Sequence, residues 1–218
     1  MSKTPAAIPG LLIPSPASIR QDFGWQLKGL FLQEQIDNLH QAALDLATFA
    51  DRCTGGQGRA WLVRSLAPLQ LHLKGFAGAV ASFANRKPTS IVFPRSDVWF
   101  TQYFQRKPSP LLHIVHELAH VIDNRLSGRR LPATIFGGGP ADQLVRYLGG
   151  QPRGLRFVNG SCGLDSLYLW TVNDGYGNRA SAEYFAETLA WCVYDPAGLP
   201  SPALLGWVEQ NLFTSRRE

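Results

Sequence analysis

Cysteine is scarce in this 218-residue chain. Cys53, Cys162 and Cys192 lie far apart, and no two have C-x-x-C spacing. A disulfide framework would need more cysteines, in even number. Three reduced thiols in or near a core are expected, with a single Cys162–Cys192 bridge as the alternative. Charge is sparse too: Asp, Glu, Lys and Arg make up 17% of the residues. The net charge of +5 arises from 21 basic and 16 acidic residues, and the densest basic spots, Arg129-Arg130 and Arg216-Arg217, are isolated pairs. A nucleic-acid-binding surface would show a clustered basic stripe, so these pairs read as solvated or helix-end charge. No run of 18 apolar residues exists, and no membrane span is expected. The opening MSKTPAAIPGLLIPSPASIR has its apolar portion cut by Pro9 and Pro14, which makes a poor signal peptide. The expected location is cytoplasmic, or outside by a route without a standard signal peptide, or secreted if a leader has been removed. The 21 Gly and 15 Pro follow no fixed period, which excludes collagen-like repeats.

What remains is ordinary core material. Hydrophobic residues form 45% of the chain. A chain of this length buries roughly 70% of its unfolded surface, so it needs no metal or disulfide merely to fold. Residues 1–18, rich in Pro, Ala and Ser, read as an extended arm. From 33 to 51, Ile36, Leu39, Ala43, Leu46 and Ala50 recur at helical spacing. A turn at 53–58 follows, and 59–67 reads as helical up to Pro68. Leu69, Leu71 and Leu73 alternate with Gln70 and His72, which predicts a strand. Residues 75–84 read as a buried helix of small residues, and Ser90–Phe93 as a second strand. Residues 108–128 form the clearest helix, with Ser109 as N-cap, Pro110 in the first helical position and Gly128 as the stop. A loop-rich stretch with a short helix at 141–148 follows. Residues 164–172 read as strand. Further helices are predicted over 180–194 and 201–213. No linker divides the chain.

The 108–128 helix contains His116-Glu117-Leu118-Ala119-His120. Residues four apart share one helix face, so both imidazoles can reach one ion. Glu117 is badly placed to be a third ligand, but it can touch a water activated by that ion and take its proton. The plain alternative is a core helix with two satisfied histidines and a surface Glu. A catalytic zinc site needs a third protein ligand and an open position. Leu126 stands six residues after His120, so the HExxHxxGxxH pattern fails. In the 180–194 helix, Glu183 and Glu187 lie one turn apart among Phe, Leu, Ala and Trp. Two acids there are costly to bury without a role. Glu183 as the third ligand and Glu187 as acceptor for a ligand histidine's ring N–H would give each one; a solvated acidic edge is the other reading. His113 is a candidate supporting or competing ligand, or a packing residue. Asp123 is a partner for a ligand's neighbour, or a surface acid. Gly137–Pro140 lacks the Lys-Ser/Thr of a phosphate loop and reads as a flap or simple turn. The aromatic run around Trp99 and Tyr103 reads as core, or as one wall of a cleft.

HELAHVID followed by GYGNRASAEYFAE resembles the zinc peptidases of the anthrax lethal factor C-terminal domain type and their smaller relatives, the Pro-Pro endopeptidases. The resemblance covers roughly 108–127 and 173–194. It implies that Tyr176, seven residues before Glu183, donates its hydroxyl to the oxyanion of the tetrahedral intermediate. It further implies one Zn2+ per chain on His116, His120 and Glu183, with Glu117 as general base. The fold expected is α+β, a mainly helical gluzincin-like domain with a small sheet beside the HExxH helix. Its N-terminal lobe would span about 19–128 and its C-terminal lobe about 129–218. A peptide or protein substrate would lie in the cleft between them, beside a sheet edge. Neither nucleic acid nor membrane is an expected partner, and a monomer is expected. The rivals to a zinc endopeptidase are a catalytically inactive, toxin-like interaction module on the same scaffold and, more remotely, a basic nucleic-acid binder with an accidental HExxH.

Overall fold

The computed structural model describes residues 13–74, 80–82, 89–94, 110–127, 137–153, 162–164 and 180–213. The chain first forms a short helix, α1 (Pro16–Phe23), then strand β1 (Trp25–Lys28) and the long helix α2 (Gln33–Thr54). The expected arm over 1–18 is therefore corrected at its end. Ser15 caps α1 by accepting from the Ser18 backbone N–H at 3.1 Å, and Pro16 takes the first helical position. Ile19 and Phe23 are fully buried, so this helix is core rather than arm. Residues 1–12 lie outside the described residues.

Helix α2 buries Ile36, Leu39, Ala43, Leu46 and Ala50 as their spacing predicts, and it ends where Gly55 turns left-handed at φ 65°. Helix α3 (Gly58–Leu66) packs back on it. This approach is close. Gly58 donates its N–H to the Asp51 carboxylate, and a Cβ there would collide with the Ala47 carbonyl oxygen. Strands β2 (Leu69–Lys74), β3 (Val80–Ser82) and β4 (Thr89–Pro94) complete a four-stranded sheet in the order β1-β2-β4-β3. Strands β1, β2 and β4 run parallel, with Trp25 opposite Leu69 and Leu71 opposite Ile91. Leu69, Leu71 and Leu73 are buried while Gln70 and His72 are half-buried, the period of two expected of a sheet with one core face. The helix expected over 75–84 is corrected: residues 80–82 are a strand, antiparallel to β4, with Ala81 opposite Ile91. Pairing with a neighbouring strand, rather than local propensity, decides their conformation. Residues 75–79 and 83–88 lie outside the described residues.

Helix α4 (Pro110–Leu126) is the centre of the molecule, and Leu112 to Asp123 are all buried. Its apolar residues, among them Leu112, Val115, Leu118, Ala119 and Ile122, spread around the helix, as an interior helix requires. Helix α5 (Pro140–Tyr147) and α6 (Ser181–Tyr194) pack on it, and α6 is buried from Ser181 to Cys192. A single 3-10 turn at Pro196–Gly198 leads to α7 (Pro202–Asn211), which Ser201 caps through the Ala203 N–H at 3.2 Å. Phe213, just beyond α7, closes the core against Trp61 and Phe49, with ring centroids 4.6 and 5.5 Å away. The C-terminal end of α4 is tied to the turn before β2: Arg125 donates to the Ala67 and Pro68 carbonyls at 2.9 and 2.6 Å. All three cysteines are free thiols, so the alternative Cys162–Cys192 bridge is not formed. The fold is α+β and mostly helical, with the sheet beside α4. Among the described residues no helix is long and apolar enough to cross a membrane.

Two glycines should respond in opposite directions to the same change. Gly58→Ala overpacks the α2–α3 contact and should cost about 1–3 kcal/mol. Gly206→Ala lies inside α7 with nothing within 4 Å of the added methyl, and should stabilise by about 0.5–1 kcal/mol through helix propensity. Urea denaturation of the two variants checks both signs.

Candidate metal centre

His116 and His120 stand one turn apart on α4, with ring planes at 88° and centroids 4.8 Å apart. Their Nε2 atoms are 3.2 Å apart. Glu183, in the first turn of α6, completes the group: its Oε2 is 3.3 Å from His116 Nε2, and its Oε1 is 3.5 Å from His120 Nε2. All three side chains are buried. This group can hold a metal ion. Ligand atoms about 2.1 Å from a tetrahedral ion lie roughly 3.4 Å from one another, so the observed spacings match the edges of such a polyhedron. The donor set of two imidazoles and one carboxylate belongs to borderline divalent metals.

The surroundings set the charge state of the donors. Burial lowers His116 to about 3. His120 is lowered to about 4, mainly by burial, with Glu183 pulling the other way. Both rings are therefore neutral across the physiological range, the form that binds metals. Burial pushes Glu183 above the ordinary carboxylate range, and His120 partly offsets this. An anion without a cation is disfavoured there, and a bound dication would reverse that preference. The start of α6, which carries Glu183, is fixed by a reciprocal pair of bonds. Ser181 N–H donates to the Arg153 carbonyl at 2.7 Å, and Arg153 N–H donates to Ser181 Oγ at 2.8 Å.

Of the residues singled out in the sequence, the fold brings together His116, His120 and Glu183. Glu117 is buried on α4 beside His116, not on the surface. Glu187 is fully buried one turn beyond Glu183, which overturns a solvated acidic edge. Tyr176 and the aromatic run around Trp99 lie outside the described residues. His113 does not join the ligand group. Its ring stands parallel to that of His116 at 6.4 Å and edge-on to Phe93 at 6.5 Å, and burial drops it to about 3, so it packs as a neutral ring. Asp123 is not a surface acid. It is 1% exposed, and its Oδ1 accepts from the Ala141 N–H at 2.8 Å. Gly137–Pro140, read as a flap or simple turn, is the backbone that receives Asp123 and Asp142. Asp142 accepts from the Gly138 N–H, and a Cβ on Gly137 or Gly139 would collide with one carboxylate or the other. Sequence reasoning missed Asp142, whose only local signal is an acid in the first turn of a helix that follows glycines. Compared with known families, curated proteins and solved structures, the chain matches none.

Metal binding should show in stability. Zinc at 100 times its Kd should stabilise the wild type by about 2.7 kcal/mol, and elemental analysis should find one ion per chain. Glu183→Ala should lose both effects. A folded wild type that gains neither metal nor stability would remove the centre.

Proposed function

We propose that the chain is a zinc-dependent endopeptidase of the gluzincin type, resembling the lethal factor and Pro-Pro endopeptidase group. The observation that carries this proposal is the convergence of Glu183, from a different helix, on the two HExxH imidazoles at 3.3 and 3.5 Å. Chance HExxH sequences occur in helices. A third ligand at coordination spacing, in a buried pocket of neutral imidazoles, is a much stricter condition. The donor set fits the His2Glu pattern of catalytic zinc, which leaves a position open.

A zinc ion held there would supply Lewis acidity, polarising the scissile carbonyl and lowering the pKa of water. The remaining work falls to the chain's own side chains. Glu117, adjacent to ligand His116, accepts a proton from the attacking water and passes it to the amine leaving group. Tyr176, seven residues before Glu183, donates its hydroxyl to the carbonyl oxygen as that oxygen gains charge. Glu187, buried one turn beyond Glu183, would accept from a ligand histidine's ring N–H and so fix its tautomer. The substrate is a peptide or protein. The antiparallel edge strand β3, which runs beside α4, offers backbone groups to an extended chain.

Glu117→Gln should keep zinc and lower cleavage of a peptide library at least about 100-fold. Tyr176→Phe should lower kcat about 100- to 1,000-fold with metal content unchanged. A zinc-loaded wild type that cleaves no peptide would support the inactive interaction module instead.

A further inference from the structure

Asp123 lies one turn beyond His120 on α4, and its hydrogen bond goes to α5 rather than to a ligand. Asp142 reaches the same stretch of backbone from within α5, through Gly138 N–H. Asp123 Oδ2 and Asp142 Oδ1 are both buried without a donor. The glycines at 137 and 139 leave room for these carboxylates, since a Cβ at either position would collide with one of them. The two acids thus clamp the start of α5 onto the C-terminal half of the histidine helix. Helix α5 in turn packs on α6, which carries Glu183. The clamp therefore links the two helices that supply the ligands.

We propose that Asp123 is a positioning residue that acts as a neutral acid: it holds its proton while the clamp is closed, and losing it loosens the α4–α5–α6 junction. One backbone N–H is too little to support a buried anion, which ordinarily needs two or three such donors or an adjacent cation. No cation reaches Asp123 among the described residues. The charged group that acts on it is another acid, Asp142 of α5. Glu183 and Glu187 of α6, Asp51 of α2 and Arg64 of α3 do not bear on it, and Arg125 on its own helix is turned to the Ala67 and Pro68 carbonyls. Cys162 lies within reach of both Asp142 and Arg153, and neither Cys162 nor Arg153 acts on Asp123. Burial pushes Asp123 up to about 7; the Ala141 N–H opposes the shift and Asp142 adds to it. A carboxyl group raised in this way stabilises the fold fully below its ordinary value of 3.8 and loses that contribution as pH rises through about 7.

The test is Asp123→Asn, which keeps an acceptor for Ala141 N–H and cannot ionise. The variant's melting temperature, relative to the wild type's, should rise by about 4 °C or more between pH 5 and pH 8.5, because the wild type loses stability from about 3.8 to about 7 and the variant does not. A difference independent of pH, or one that falls toward pH 8.5, would overturn the proposal. If Asp123→Asn does not fold, infrared spectroscopy of the wild type decides. A protonated-carboxyl C=O band present at pH 5 and lost on titration near 7 supports the proposal, and its absence at pH 5 sinks it. Positioning is read separately by zinc affinity. Asp123→Ala should bind zinc at least tenfold more weakly than the wild type, with Asp123→Asn restoring the affinity; equal affinity in all three would remove the positioning role. This arm alone rests on the zinc reading. A wild type that binds no zinc would defeat that reading, while the melting and infrared results would still decide the clamp.

Discussion

The structure depends on the contact between α4 and α6, because that contact buries polar groups that cannot be left alone. Within Leu112–Asp123, five side chains are polar or ionisable, and none of them is exposed. Transferring such groups from water without partners costs several kcal/mol each. A sequence that keeps them on a central helix must satisfy them inside the protein. The α4–α6 contact does so at one end by presenting Glu183 to both imidazoles, and the α4–α5 contact does so at the other by presenting Ala141 N–H to Asp123.

The rest of the fold serves this contact. The sheet and α1–α3 flank the N-terminal half of the molecule, with α2 and α3 packed on α4. Arg125 fastens the C-terminal end of α4 to the turn before β2, and the Arg153–Ser181 bonds fasten the start of α6. These bonds matter beyond their modest individual energies, because coordination is sensitive to displacements of a few tenths of an ångström. Burial also keeps both imidazoles in the neutral form, at His120 against the pull of Glu183.

What the sequence reveals and what it conceals divide along local and non-local lines. The helix faces of 33–51, 110–126 and 181–194 are written in i, i+3, i+4 spacing, and so is the pairing of His116 with His120. Glu183 could be singled out because an acid among Phe, Ala and Leu on a helix demands a reason. The start of α1 was hidden by Pro14 and Pro16, which look like an arm until Ser15 is seen to cap a helix. Strand β3 was hidden because three residues become a strand only by lying against β4. Asp123 could be named as a candidate but not placed, and Asp142 carried only a weak signal. Nothing local distinguishes a surface acid from one that another helix covers, and Gly137 and Gly139 look like flexible punctuation until the carboxylates they accommodate are known.

Glu183 and Asp123 make an instructive pair. Burial raises both above the ordinary carboxylate range, and both sit where two helices meet. Their partners differ in kind. Glu183 faces two neutral imidazoles whose Nε2 atoms lie 3.2 Å apart. Where both Nε2 atoms are unprotonated, a cation can satisfy all three groups together, and a divalent ion would also offset the charge of the carboxylate. Asp123 faces a backbone donor and a second carboxyl group. A metal there would find too few ligands, whereas a single proton removes the charge and leaves the bond to Ala141 intact. The same desolvation thus favours an ion at one end of the helix and a proton at the other, and the chemistry of the facing groups decides which.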